Sequence, residues 1–198
     1  MVPMAFAVHP VLVILFWLTF GAWVALWLGI VWRDRGTDVH TPSDQGSRAL
    51  IGITLWSGVL VAFLTAWLVP ATRIPGSGWA VVLGGLVLMW CGMVVRLWAV
   101  RTLGYFFRTV VLIQDRHRII DTGPYRLLRH PSYAGSLLTL AGLGLALGNW
   151  LSLLTAVLGA LIGFTRRMRI EETTMQARFG DAYIAYARRT WCLVPFLW

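Results

Sequence analysis

Residues 132–165 read SYAGSLLTLAGLGLALGNWLSLLTAVLGALIGFT, a run of 34 residues without a charged side chain. A helix needs roughly 20 apolar residues to cross a bilayer, so this run is too long for one span and long enough for two short ones. Gly148-Asn149 near its middle is a turn signal, and the pattern predicts a tight helical hairpin. Working outward, the uncharged runs Val11–Trp32, Ala49–Val69 and Ile74–Val95 are each about one bilayer thick as a helix. The expected fold is therefore an all-α integral membrane protein. It has five transmembrane helices, a C-terminal helical hairpin and cytoplasmic amphipathic helices.

The composition agrees. Of 198 residues, 58% are hydrophobic and the mean hydropathy is +0.72, which excludes a soluble domain. Met1 to Pro10 holds no basic residue and no small-residue cleavage site follows, so the first helix is expected to stay as an anchor. Cys91 and Cys192 show neither a pairing pattern nor metal spacing, so no disulfide is expected.

The net charge of +9 rests on arginine alone, since the chain has no lysine. Such basicity can signal nucleic acid, but here the arginines flank apolar spans, and positive-inside bias explains them better. Arg101, Arg108, Arg116, Arg118, Arg126 and Arg129 crowd one loop, and Arg166, Arg167, Arg169, Arg178, Arg188 and Arg189 the tail. Arg33, Arg35 and Arg48 mark the first connection, whereas the second holds only Arg73. Five spans satisfy this with the N-terminus outside and the C-terminus in the cytoplasm.

Two halves follow. Residues 1–100 form a three-helix transmembrane region with little polar chemistry. Within it Trp23 and Trp27 share a helix face, Trp32, Trp79 and Trp98 stand near span ends, and Arg96 lies close enough to an end to snorkel. Residues 101–198 form a catalytic region with a loop, the hairpin and an amphipathic tail. After the last span, Arg166 to Arg178 continues helically, Phe179-Gly180 is a break, and Asp181 to Arg189 is an amphipathic helix carrying Tyr183 and Tyr186.

Polar chemistry concentrates at the mouth of the hairpin. Upstream of it runs Gly123-Pro-Tyr-Arg-Leu-Leu-Arg-His-Pro-Ser-Tyr-Ala-Gly135, and downstream Arg166-Arg-Met-Arg-Ile-Glu-Glu172. Ionisable groups at a membrane boundary lose hydration and usually persist where they bind something. Tyr125 and Tyr133 can stack on a ring or a cation, and Arg129 and His130 can engage a carboxylate. Arg167 and Glu171 stand one helical turn apart, and the Glu171-Glu172 pair favours a cation such as a sulfonium or an amine. No metal is expected, because His117 and His130 stand thirteen residues apart without a Cys or carboxylate to complete a ligand set. Neither a Gly-rich phosphate loop nor a Ser-His-Asp signature is present.

Residues from about His117 to Pro195 resemble the isoprenylcysteine carboxyl methyltransferase family and the related phospholipid N-methyltransferases. The resemblance rests on His117, Gly123, Tyr125, Arg129-His130-Pro131-Ser132-Tyr133, Gly135, Glu171-Glu172, Phe179-Gly180, Tyr183, Tyr186 and Pro195. It implies an integral membrane enzyme that moves a methyl group from S-adenosyl-L-methionine to a lipophilic acceptor. It also implies a cofactor pocket of His117, Arg118, Ile119, Ile120, Tyr125, Arg129, His130, Pro131, Ser132 and Tyr133, closed by Glu171. Arg167 matches the position associated with the acceptor's carboxylate, so Arg167 and Glu171 are the expected catalytic residues. A family glutamine falls by count at Val110, with Gln114 nearby.

A carboxylate acceptor, isoprenylcysteine-like, needs only a positive clamp and a dry pocket. An amine acceptor must lose a proton, for which Glu171 or Glu172 is the natural base. Either acceptor is a lipophilic small molecule or a lipidated chain, met in the bilayer, with no nucleic acid partner. Two other readings differ in class: an NADPH-dependent enzyme like the sterol reductases, which carry a similar Arg-His-Pro-x-Tyr segment, and a non-enzymatic membrane protein. The all-arginine, tryptophan-rich composition points to the cell membrane of a prokaryote, where prenylated protein C-termini are not the expected acceptor.

Overall fold

The computed structural model describes residues 9–33, 46–76, 78–104 and 119–195. These form six α-helices: α1 (Pro10–Arg33), α2 (Ser47–Leu68), α3 (Gly78–Leu103), α4 (Pro131–Ala146), α5 (Trp150–Phe179) and α6 (Asp181–Arg188). Short 3-10 turns at Pro70–Thr72 and Gly123–Arg126 join them. Among the described residues, α1, α2, α3 and α5 are long and apolar enough to cross a membrane. At 16 residues, α4 reaches only about 24 Å at 1.5 Å per residue.

The expected third span is displaced. Pro75 and Gly76 keep its first residues out of the helix, which starts at Gly78 and runs on through Arg96 and Arg101 to Leu103. The uncharged run marked the edge of apolar sequence, whereas the helix ends where its backbone pattern ends. Before α4, a 3-10 turn over Gly123–Arg126 buries Pro124 and Tyr125.

Helices α3 and α4 lie backbone to backbone because glycine lines the contact. A Cβ at Gly142 would stand 2.6 Å from the Gly85 carbonyl oxygen, and one at Gly85 2.6 Å from that of Gly142. Gly58 and Gly159 do the same for α2 and α5, where a Cβ at Gly159 would meet the Gly58 Cα at 2.7 Å. Between apolar helices in lipid, such close approach supplies the packing that water exclusion does not. α1 instead meets α2 through rings: Trp23 and Trp27 both reach Trp56, with centroids 5.5 and 5.4 Å apart, and Trp17 stacks on Phe63. Trp32, Trp79, Trp98 and Trp150 are exposed near helix ends, as interfacial anchors are.

Where α4 gives way to α5, Gly148 adopts φ 70° and Asn149 caps the new helix. The Asn149 Oδ1 accepts from the amides of Leu151 and Ser152 and from the Thr72 hydroxyl, while its Nδ2 donates to the Val69 carbonyl. A side-chain oxygen at this position satisfies amides that the first turn of a helix leaves without partners. At the other end, α5 continues beyond its apolar part, which ends at Thr165, and breaks at Gly180 with φ 52°. α6 then buries Tyr183 and Tyr186 on one side, as its amphipathic pattern predicts.

Candidate active site

The polar end of α5 is where the chain gathers its charges. Arg167 is 1% exposed, although it follows the apolar run by only two residues. Its Nε donates to Glu171 Oε1 at 2.8 Å, one turn along the same helix, and its Nη1 donates to the Ser47 hydroxyl at 2.9 Å. α4 closes a second side. Pro131 occupies the first turn of α4, which leaves His130 just before it and Tyr133 facing α5. The Tyr133 hydroxyl donates to Glu171 Oε1 at 2.7 Å, and its ring stacks with Phe164, at 4.8 Å, and with His130, at 5.7 Å.

His130 lies between both carboxylates. Nδ1 is 3.5 Å from Glu171 Oε2, and Nε2 is 3.1 Å from Glu172 Oε1. Glu172 in turn accepts from Arg129 Nε at 2.7 Å. The rest of the Arg129 fork holds the tail: Nη1 donates to the carbonyls of Ala187 and Thr190. The backbone repeats the clasp, since the amides of Arg129 and His130 donate to the carbonyls of Trp191 and Cys192.

These contacts fix the charge states. Burial alone would lower the His130 imidazole, but the hydrogen bonds and charges of Glu171 and Glu172 outweigh it and hold its pKa above the ordinary value. Burial pushes Glu171 upward, yet His130 and Arg167 bring it down to about 2. For Glu172 the His130 hydrogen bond is the largest influence, opposed by burial and joined by Arg129, again to about 2. The site is thus a lattice of arginines and carboxylates joined through His130, whose neighbours favour its charged form.

Most of the expected pocket residues gather here. Arg129, His130, Tyr133, Arg167 and Glu171 form the lattice. Pro131 and Ser132 are buried at the start of α4, and the Ser132 carbonyl accepts from Ser136. Tyr125 is buried beneath, its carbonyl bonded to the Tyr186 hydroxyl. Ile119 and Ile120 are half-buried. His117, Arg118, Val110 and Gln114 lie outside the described residues.

The sequence reading missed one residue and assigned another a different role. Ser47 carries no signal of its own, standing 120 positions from Arg167 in an unremarkable segment. Arg96 carried one, a charge inside an apolar helix, but it does not snorkel freely. Its Nη1 donates to the Ser136 hydroxyl on α4, and its buried Nε finds no partner. No carboxylate among the described residues pairs with it. Arg96 is thus a half-buried guanidinium whose charge no carboxylate among the described residues offsets.

His130, Glu172 and Cys192 also offer three ligand atoms within 4.8 Å of one another. The Arg129 guanidinium already supplies the cation at Glu172, and Cys192 lies 3.8 Å from the same oxygen. Both cysteines are free.

Comparison with known proteins places this geometry in a family. The phospholipid methyltransferase family model matches residues 79–182, which include α3, α4, α5 and every lattice residue except Ser47. The chain belongs to that family. It is 37% identical over 121 residues to a probable protein-S-isoprenylcysteine O-methyltransferase of Oryza sativa subsp. indica, covering 60% of this chain and 63% of that one. It is 28% identical over 163 residues to protein-S-isoprenylcysteine O-methyltransferase A of Arabidopsis thaliana, covering 80% and 83%. The solved structure of a eukaryotic intramembrane Ras methyltransferase, isoprenylcysteine carboxyl methyltransferase, superposes with a TM-score of 0.60 at 25% identity, over 83% of this chain and 56% of that one. The chain therefore spans somewhat less than two thirds of the rice relative and just over half of the solved one. With its apolar helices, the match makes this an integral membrane protein. These relatives are eukaryotic, so the expected prokaryotic origin gains no support from them.

Proposed function

We propose that this protein is a membrane methyltransferase that transfers the methyl group of S-adenosyl-L-methionine to a lipophilic acceptor, with an isoprenylcysteine-like carboxylate as the receiving group. The observation that carries this reading is the pairing of buried Arg167 with half-buried Glu171, joined by Tyr133 and His130 within the part of the chain that matches the family.

The donor set suits such a ligand. Glu171 offers a fixed negative charge to a sulfonium or an amine, Tyr133 and Tyr125 offer ring faces, and Arg96 offers an unpaired cation to a carboxylate. The proposed set also takes in Ile119, Ile120, Pro131 and Ser132, with His117 and Arg118. When bound, S-adenosyl-L-methionine supplies a methyl carbon already activated by positive sulfur. The protein's part is then positioning, which can account for a large share of the barrier. Arg167 orients the acceptor carboxylate, the aromatic rings exclude water, and Glu171 keeps the opposing cation in line. A carboxylate is ionised at neutral pH, so no side chain needs to remove a proton.

The family description favours a second reading, a phospholipid amine as acceptor. That chemistry needs a base, and carboxylates held at about 2 by His130 and its arginine neighbours are weak ones. The carboxylate reading is therefore preferred. It carries a topology with it: five spans including α4, the N-terminus outside, and residues 101–198 as the catalytic region facing the cytoplasm.

Incubating membranes with methyl-labelled S-adenosyl-L-methionine and identifying the labelled product tests the activity and the acceptor together. Label in a base-labile ester is expected; label in a lipid amine would select the second reading, and no label would overturn both. Cysteine probes at positions 38 and 115 should react from the cytoplasmic face and one at position 77 from outside. Reaction of 38 and 77 from one side rules out five spans.

A further inference from the structure

The N-terminal half of the chain was expected to contribute little chemistry, yet it supplies one hydroxyl to the centre of the site. We propose that Ser47 is a positioning residue for methyl transfer, fixing the plane of the Arg167 guanidinium from outside its own helix. This rests on the reading of Arg167 as the acceptor's clamp.

Ser47 is fully buried as the first residue of α2. Gly46, before it, adopts φ 72°, a conformation that turns the chain into the helix at that point and that L side chains rarely adopt. The glycines of the α2–α5 contact then let the two helices approach: a Cβ at Gly163 would stand 2.9 Å from the Ile51 Cα, one turn beyond Ser47. Ser47 Oγ consequently accepts from Arg167 Nη1 at 2.9 Å.

A guanidinium is planar and presents its donors in a fixed fork, so its usefulness as a clamp depends on where the plane points. Glu171 grips Nε from the same helix, and Tyr133 of α4 shares its oxygen, so that end of the fork answers to α4 and α5. Ser47 grips Nη1 from a different helix and so refers the fork to the frame of the bundle. Loss of the hydroxyl leaves Arg167 charged and buried and removes the hold that α2 has on its Nη1. The loss should appear in the chemical step, because small misplacements of a positioning group act on turnover.

The test uses the full chain in detergent, methyl-labelled S-adenosyl-L-methionine and a farnesylated N-acetylcysteine as the acceptor probe. Ser47→Ala should lower kcat about tenfold or more while the KM for the methyl donor stays within about twofold. Ser47→Thr, which keeps the hydroxyl, should recover most of kcat. In an Arg167→Lys background the Ser47→Ala change should add no further loss, since the two act through one contact. A Ser47→Ala protein with wild-type kcat overturns the proposal, and so does an equal further loss in the Arg167→Lys background. If Ser47→Ala loses its melting transition, Ser47→Cys keeps the volume with a weaker acceptor and is judged by the same criteria. A wild type that labels neither the farnesylated probe nor phospholipid overturns the methyltransferase reading, whereas a fully active Ser47→Ala overturns only the positioning role.

Discussion

Tyr133 and Arg167 share one acceptor: the hydroxyl and the Nε converge on Glu171 Oε1 at 2.7 and 2.8 Å. One oxygen thus ties α4 to α5 and sets the direction in which the remaining oxygen, Oε2, faces His130.

Methyl-donor affinity should register that arrangement. Tyr133→Phe keeps the ring against Phe164 but drops the hydroxyl, and is expected to weaken S-adenosyl-L-methionine binding by about 0.5–1.5 kcal/mol, the net worth of one hydrogen bond. Tyr133→Ala and His130→Ala should each cost about 1–3 kcal/mol, because they also leave Glu171 short of partners. Calorimetry in detergent measures all three. Unchanged affinity in the two alanine variants would remove this pair from the pocket.

Acceptor chemistry is read from Arg167 and Glu171 together. With a carboxylate acceptor, Arg167→Ala should abolish most turnover while donor affinity holds, and Arg167→Lys should recover little because an ammonium lacks the planar fork. Glu171→Ala should chiefly weaken donor binding. With an amine acceptor, Glu171 or Glu172 variants should lose maximal rate and regain it at high pH. Steady-state rates across pH separate these patterns.

Sequence carried much of this and lost some of it for identifiable reasons. Apolar run length located α1 and α2 within a few residues, and the start of α5, because lipid demands continuous helices. It misplaced α3, since Pro75-Gly76 is as uncharged as a span and Arg96 as charged as a loop. Gly148-Asn149 was legible as a turn because a positive φ and a capping oxygen are local requirements. The contacts of Ser47 and Arg96 were not, since both depend on glycine-lined packing between helices distant in sequence, which no local pattern reports. Arg129 was read as a ligand contact; part of its fork instead holds the tail carbonyls of Ala187 and Thr190, an assignment that only the fold supplies.

That packing makes a paired test possible. Gly142→Ala forces a Cβ to 2.6 Å from the Gly85 carbonyl oxygen and Met89 amide, backbone atoms that cannot swing aside. It should destabilise the protein by about 1–3 kcal/mol or prevent assembly. Gly84→Ala meets nothing closer than the Leu145 side chain at 3.8 Å and should be neutral or slightly stabilising. Melting temperatures of the two in one detergent check the contrast; equal values would mean that α3 and α4 are not so closely packed.

Stability should also depend on pH in both directions. Glu171 and Glu172 are held near 2 against an ordinary 4.5, so the unfolded chain takes up protons first. Their contribution is present above pH 4.5 and is lost as pH falls toward 2. His130 is held above its ordinary 6.5, so its contribution is present below 6.5 and is lost as pH rises through its folded value. Melting temperature should therefore be highest between these limits. Glu172→Gln should flatten both limbs, and a profile unchanged by it would detach the clasp from stability.

The Arg129 clasp has a consequence for how the protein is made. Ala187, Thr190, Trp191 and Cys192 follow every other member of the site in the chain, yet they hold Arg129 and His130 in place. During synthesis, at about 5–20 residues per second, the membrane helices emerge from the ribosome before those residues do, with the end of α5 leading them by about a second. The nascent protein would thus have its membrane helices made and its site unfastened, and reach its working form only when the tail docks.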